Sequence, residues 1–225
     1  MNQAGQWPEV GAVVMAAGAG RRMGGVPKSL LRRDGEPLLL RQIRLLALAG
    51  VGDIVVVLGH HAERLAAVLG QAGAAVATPA GVAGLRWVLN PAPDAGPGSS
   101  LRCGLAALPA SLSAVLVVLG DQPLLQDGDA QAMLWAWRER SAGVELLVPQ
   151  HAGQPGHPIV FGPAVRQAVM QQPGGQGVRE WRRGHPAQVG VLPVSHARFT
   201  TDVDAPDDVA RLREQHGVAL ELPAA

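Results

Sequence analysis

The chain has 225 residues, 48% of them hydrophobic, which is enough to bury the core of one domain. Its 19 Lys and Arg residues against 18 Asp and Glu give no overall field for a nucleic acid or a membrane surface, so any phosphate-binding patch must be local. The single cysteine, Cys103, excludes an internal disulfide and a cysteine-rich metal site. The opening MNQAGQWPEVG lacks the features of a signal peptide and no apolar run approaches the ~18 residues of a membrane span, so a cytoplasmic protein is expected.

Short runs of Val, Ile and Leu alternate with longer stretches of helical period, the pattern of parallel strands joined by covering helices. Strands are expected over 12–16, 53–58, 86–89, 114–119 and 145–148, and helices near 37–49, 61–69, 99–107 and 127–140. The fold class is therefore α/β, a three-layer α/β/α arrangement around a largely parallel sheet with its site over the carboxyl ends of the strands. Beyond Gln150 the texture changes. HAGQPGHPIVFG reads as a hairpin punctuated by Gly and Pro, followed by an apolar helix, a glycine-rich link and the strand-turn-helix FTTDVDAPDDVARLREQ. This last part, about 151–215, reads as an elaboration on the sheet of about 10–150, which makes one domain of the chain. TPAGVAG and NPAPDAGPGSS are loops long enough to border a site.

VVMAAGAGRRMGGVPKSLL, residues 13–31, is a strand running into a glycine-rich turn, and such a turn aims backbone N–H groups at an anion above the sheet. The dinucleotide fingerprint fails because Arg22, Met23 and then Gly24 follow Gly20 in the wrong spacing, and VVVLGHH ends in Gly59 and His60 without an acidic residue. A nicotinamide cofactor is not expected. The Walker pattern fits Gly20 to Gly25 but Val26 and Pro27 intervene before Lys28 and Ser29. What remains is Gly18 and Gly20 for close backbone approach, Arg21 and Arg22 in mid-loop, and Lys28 at the far side, which would meet a triphosphate in turn. Taken alone, the same stretch also reads as a solvated basic turn.

Phosphate transfer needs a divalent cation held by carboxylate oxygens. VLVVLGDQPLL puts Asp121 where an apolar strand leaves the core, and TTDVDAPDDV supplies Asp202 and Asp204, on opposite faces if the segment is extended. Asp204, immediately before the turn, is the one expected in a shared cleft. The competing readings are helix caps, with Asp121 capping the next helix and Asp204 the helix opened by Pro206.

MAAGAGRRMGGVPKSLL resembles the signature of nucleotidyltransferases of the MobA-like type, and GDQP and DVDAPDD resemble that family's GD-x-P and D-x-D-T-P-E-D elements in the same order. Asn90 with GPGSSLRCGLAAL resembles the segment that closes over base and ribose, and GQPGHPIVFG resembles the PGHP element of the molybdenum-cofactor cytidylyltransferases within the family. The resemblance runs from about Val13 to Arg211. It departs in a spacer before Lys28 that is one residue longer and in Ala205, where Thr is usual.

This resemblance implies a Rossmann-like nucleotidyltransferase fold and transfer of CMP from CTP to the molybdopterin-bound molybdenum cofactor with Mg2+, releasing pyrophosphate. Ala16, Ala17, Gly18, Gly20, Arg22, Lys28, Gly98 and Ser100 would surround the nucleotide. Lys28, Arg22 and Asp121 would be catalytic, Asp121 and Asp204 would hold the metal, and His157 would face the acceptor. Arg179 in GVREW lies in the same acceptor half. Ala17, in AAG rather than AGG, points to cytidine over guanosine. The alternatives are a guanylyltransferase or another transferase to a phosphate acceptor, and a carrier that delivers finished cofactor to a recipient molybdenum hydroxylase. Ser99 or Ser100 also reads as a helix N-cap and His157 as a rigid hairpin residue. His60 and His61 read as solvent-facing, and of Trp135 and Trp137, two apart on a helix, at most one is core.

Overall fold

The computed structural model describes residues 7–72 and 84–223. Strand β1 (Trp7–Ala16) is followed by two single-turn 3-10 helices and a short hairpin of β2 (Arg32–Arg33) and β3 (Glu36–Pro37). Then come α1 (Leu38–Leu48), β4 (Val51–Leu58), α2 (Ala62–Ala72), β5 (Gly84–Leu89), α3 (Pro97–Ala107) and β6 (Ala114–Leu119). The remainder is α4 (Asp129–Arg138), β7 (Leu146–His151), β8 (Gln154–Pro155), β9 (Ile159–Phe161), α5 (Pro163–Gln171), α6 (Val178–Gly184), β10 (Val189–Pro193) and α7 (Pro206–His216).

The main sheet has eight strands in the order β10-β7-β9-β6-β1-β4-β5, with β8 paired to β7. β5, β4, β1 and β6 run parallel, as do β10 and β7, whereas β9 is antiparallel to both of its neighbours, β6 and β7. The central strands are apolar at nearly every position because both faces are covered. Val14, Val56 and Val118 pack against α1, α2 and α4 through Ile43, Leu65 and Leu134, while Val13, Val55 and Val117 face α3, α5 and α6 through Leu105, Val165 and Trp181. Period-two alternation thus feeds two cores and gives the three layers. Of the tryptophan pair on α4, Trp137 is core and Trp135 is 41% exposed. Among the described residues no helix is long and apolar enough to cross a membrane.

Two expectations need correction. FTTDVD is not a sheet strand: Ala197–Phe199 is a 3-10 turn and the rest is irregular, while the strand of this region is β10, upstream. Phe199 and Val203 are buried as an extended segment would bury them, but their backbone groups bond to loops, the Phe199 carbonyl accepting from His157 N at 2.8 Å and Val203 N donating to the Asp121 carbonyl at 3.1 Å. Neither Ser99 nor Ser100 is an N-cap, because α3 opens at Pro97 with Gly96 as its cap. Residues 78–83 of TPAGVAG and 1–6 of the opening lie outside the described residues.

Candidate active site

The loop after β1 lies at the carboxyl end of the sheet. Gly20 has φ +63°, and a Cβ there would sit 2.0 Å from the Val26 carbonyl oxygen, so no side chain fits where the loop doubles back. Gly20 in turn accepts from Met23 N and Gly25 N, which closes the loop into a compact turn. Gly120 is equally constrained: its Cβ would lie 2.7 Å from Ser29 Oγ, and its N–H donates to Met15 O at 3.0 Å. The ends of β1 and β6 and the residue after Lys28 therefore converge.

Lys28 Nζ lies 2.6 Å from Asp121 Oδ2 and 2.8 Å from Asp204 Oδ1, and Arg22 Nη2 lies 2.8 Å from the same Asp204 oxygen. Burial opposes the charge on Lys28, but attraction to Asp121 and Asp204 prevails and raises it above the ordinary lysine value. Burial also works against the Asp204 charge, yet Lys28 and Arg22 hold its carboxyl below the usual range. At Asp121 burial pushes the carboxyl up, against the pull of Lys28. Asp202 makes no ion pair with Lys28, whose partners are Asp121 and Asp204, and lines a polar pocket with Thr200, Thr201 and Arg211. Desolvation, then the like charges of Asp121 and Asp204, raise its carboxyl.

Neither aspartate is a helix cap. α4 is capped at Gly128, and at α7 it is Asp208 whose carboxylate accepts from both Asp204 N and Ala205 N at 2.7 Å. The turn therefore closes without a hydroxyl at Ala205.

Three adjoining cavities extend from this point. One of about 80 Å³ is lined by Met15, Ala16, Gly18, Lys28, Ser29 and Asp121 among others. A second, of about 450 Å³, begins at the same Met15 and passes Gly98 and Leu119 to His157 and Arg179. The third, of about 290 Å³, shares His157 and Arg179 and ends at Arg182.

Two expected nucleotide contacts are placed otherwise. Ala17 is buried in the α3-side core, packed so closely on Gly59 that a Cβ on the glycine would lie 2.8 Å from the Ala17 methyl. Ser100 is also buried, its hydroxyl accepting from Asn90 Nδ2 at 2.9 Å, so Asn90 ties the end of β5 to the first turn of α3. Gly98 does line the cleft, where its N–H donates to Gly175 O at 3.1 Å. His157 is anchored by its backbone, and its imidazole is lowered to about 4 by burial and then by the charge of Arg182, so it is neutral at pH 7.

Sequence reading missed three participants. Gln122 is buried and its amide donates to the carbonyls of His157 at 3.1 Å and Phe199 at 2.9 Å. His60 and His61 do not simply face solvent: His60 Nε2 lies 3.1 Å from Asp94, which also receives Arg21, and His61 Nε2 donates to Ala19 O at 3.0 Å. The only available signal was proximity, Gln122 within GDQP and the histidines at a strand end beside the loop.

Residues 12–189 match the MobA-like NTP transferase domain. Over 209 residues the chain is 32% identical to Nicotine blue oxidoreductase of Paenarthrobacter nicotinovorans, covering 91% of this chain and 97% of that protein. It is 36% identical over 152 residues to Bifunctional protein GlmU of Mycolicibacterium gilvum, covering 66% of this chain but only 29% of GlmU. Among solved structures, Rv0371c from Mycobacterium tuberculosis H37Rv superposes with a TM-score of 0.73 at 25% identity, covering 93% of this chain and 100% of the other. The Rv0371c complex with manganese superposes at 0.68 and 25% identity, covering 92% and 98%.

Proposed function

The chain belongs to the MobA-like NTP transferase family, and from that premise we propose that it transfers CMP from CTP to the phosphate of the molybdopterin-bound molybdenum cofactor, releasing pyrophosphate. The observation that carries this reading is the ammonium of Lys28 shared by Asp121 and Asp204 at the mouth of a glycine-rich loop. Two carboxylates from distant parts of the chain converge on one cationic position beside a phosphate-sized cavity lined by Gly18 and Lys28.

These residues suit a hard divalent cation. Both donors are carboxylate oxygens, and among the described residues no cluster of three His, Cys, Asp or Glu could complete a cage, so the remaining ligands would be phosphate oxygens and water. Mg2+ held by Asp121 and Asp204 would neutralise charge on the α-phosphate. The manganese complex of Rv0371c supports a divalent metal in this family.

In the proposed reaction an oxygen of the acceptor phosphate forms a bond to the α-phosphorus of CTP as the bridging α–β P–O bond breaks, and the electron pair leaves on pyrophosphate. The attacking oxygen is already anionic, so no base has to remove a proton and no covalent enzyme intermediate is needed. Arg22, Lys28 and the amides of Gly18 and Gly20 would meet the charge that grows on the departing pyrophosphate. Neutral His157 offers the acceptor a hydrogen bond without adding charge. The part of the chain near 10–150 would thus hold the nucleotide and that near 151–215 the acceptor. The space left for the base is walled by Met15, Gly98 and Leu119, whereas the Ala17 methyl lies in the core, so CTP would be selected over GTP by that wall and not by Ala17.

The test is pyrophosphate release by purified protein given molybdenum cofactor, Mg2+ and each triphosphate in turn. CTP-dependent release bears the proposal out, and GTP-dependent release replaces it with a guanylyltransferase. Tight cofactor binding with no pyrophosphate from any triphosphate indicates a carrier serving a molybdenum hydroxylase. A second reading comes from the relative matched over almost its whole length, which is named an oxidoreductase. Oxidation or reduction of nicotine blue by the purified protein, again with no pyrophosphate, would establish that reading instead.

A further inference from the structure

We infer that Arg179 and Arg182 form a second anion site, separate from the phosphate loop, which takes an oxyanion at the end of the acceptor opposite its reacting phosphate. The inference rests on the transferase reading above. Both arginines line the 290 Å³ cavity, whose other walls include apolar Leu146, Val148, Ile159 and Val178. No residue of the loop from Ala16 to Lys28 lines it, and neither do Asp121 or Asp204. It opens into the 450 Å³ cavity past His157, Ile159, Val178 and Arg179, which belong to both. A molecule whose phosphate reaches Lys28 and Asp121 would therefore extend across Ile159 and Val178 and present its far end to Arg182.

What sets these two guanidiniums apart is that both are unpaired among the described residues and line one cavity together. Among the described residues neither Arg179 nor Arg182 has a hydrogen-bond or ion-pair partner, whereas Arg22, Arg44, Arg86 and Arg198 each hold a carboxylate and Arg166 holds backbone carbonyls. Three residues apart on α6, they lie on one side of the helix, so their charges repel until an anion comes between them. The acidic residue closest in sequence, Glu180, lines the neighbouring cavity and already accepts from Gly177 N at 2.8 Å. His157, the other titratable group facing them, is uncharged at pH 7. The cavity thus presents two fixed positive charges over an apolar floor, a surface for a group with paired oxygens on a flat or apolar body. In the acceptor proposed above that end is the oxo-bearing molybdenum, so the site favours the metal-loaded cofactor over metal-free molybdopterin.

The experiment compares wild type with Arg179→Gln, Arg182→Gln and Arg182→Lys by pyrophosphate release at saturating CTP, using loaded cofactor and metal-free molybdopterin as alternative acceptors. Each Gln variant is expected to raise KM for the loaded acceptor on the order of 10-fold, to leave KM for CTP unchanged, and to erase the preference for loaded over metal-free. Arg182→Lys should retain part of that preference. An unchanged acceptor KM, or an equal rise for both acceptors or for CTP, overturns the inference while leaving the transferase reading intact. If wild type releases no pyrophosphate from either acceptor, the transferase reading fails first. Calorimetric titration of inorganic molybdate into wild type and the double Gln variant then decides the anion site: binding lost in the variant supports it, and no binding to wild type rejects it.

Discussion

The side-chain amide of Gln122 donates a 3.1 Å hydrogen bond to the main-chain carbonyl of His157, so the residue next to the candidate metal aspartate holds the acceptor-side hairpin directly. The same amide reaches Phe199 O, and the Gln122 carbonyl accepts from Gln42 on α1. Gln122→Leu roughly keeps the volume and removes the donor to the His157 carbonyl, while the Phe199 carbonyl still accepts from His157 N, at a cost of about 1–3 kcal/mol in urea unfolding. The acceptor KM should rise several-fold while KM for CTP stays put. An equal rise for CTP would show that Gln122 supports the whole site rather than the hairpin.

Replacing Asp121 by Asn preserves shape while removing half of the charge that receives the metal. Nucleotidyl transfer should fall on the order of 10³-fold, since several kcal/mol of charge stabilisation would be lost, with the circular-dichroism melt showing a folded protein. Asp204→Asn should behave alike. Asp202→Asn, altering a group that lines the Thr200 pocket and makes no ion pair with Lys28, should cost only a few-fold. The opposite ranking of Asp202 and Asp204 would show that the metal draws in the other face of the segment.

Base selection gives a contrast between Ala17 and Gly98. The Ala17 methyl lies in the core against Gly59, so Ala17→Gly is expected to cost about 1 kcal/mol of stability and to change the ratio of kcat/KM for CTP and GTP by no more than about threefold. Gly98→Ala would put a Cβ 1.9 Å from Gln176 O, forcing the 175–177 link away from α3. Its KM for CTP should rise by an order of magnitude or so, because the displaced link borders the cleft. A large selectivity change in Ala17→Gly with none in Gly98→Ala would place the base on the loop itself.

His157, held at about 4 in the folded protein, binds its proton near 6.5 once unfolded. The unfolded chain therefore takes up more protons between these values. The stability that His157 contributes as a neutral group is complete above pH 6.5 and is lost as pH falls toward 4. His157→Gln should flatten that part of the profile, measured as the difference in urea midpoint between wild type and variant from pH 7.5 to 4.5. A constant difference across that range would mean that the imidazole is no harder to protonate in the fold than out of it.

The strands most legible in the sequence were those at the centre of the sheet. β1, β4 and β6 are buried on both faces, so their Val and Leu runs are nearly unbroken, and Gly120 followed by Asp121 marks where such a run must meet solvent. β10 was missed because it is an edge strand with alternating exposure, and α6 because seven residues anchored by Val178 and Trp181 carry little periodic signal. Counting by two from Val13 already puts Ala17 on the α3 face. Gln122 could not be found by any local pattern, since its partners lie 35 and 77 residues further along. The site was readable where chemistry demanded a residue type and hidden where packing chose the neighbour.

The antiparallel placement of β9 constrains how such a protein can diversify. Its register, Val115 with Phe161 and Leu147 with Val160, stitches the end of the acceptor hairpin between two strands that lie on either side of it. A chain cut before residue 151 would expose the flank of β6 as a long apolar template for other molecules, so such a fragment should precipitate rather than retain a nucleotide site. Under the proposed transferase reading, new acceptors would therefore be reached by rewriting the hairpin and the two arginines behind it, residue by residue, and not by grafting one carboxyl-terminal half onto another.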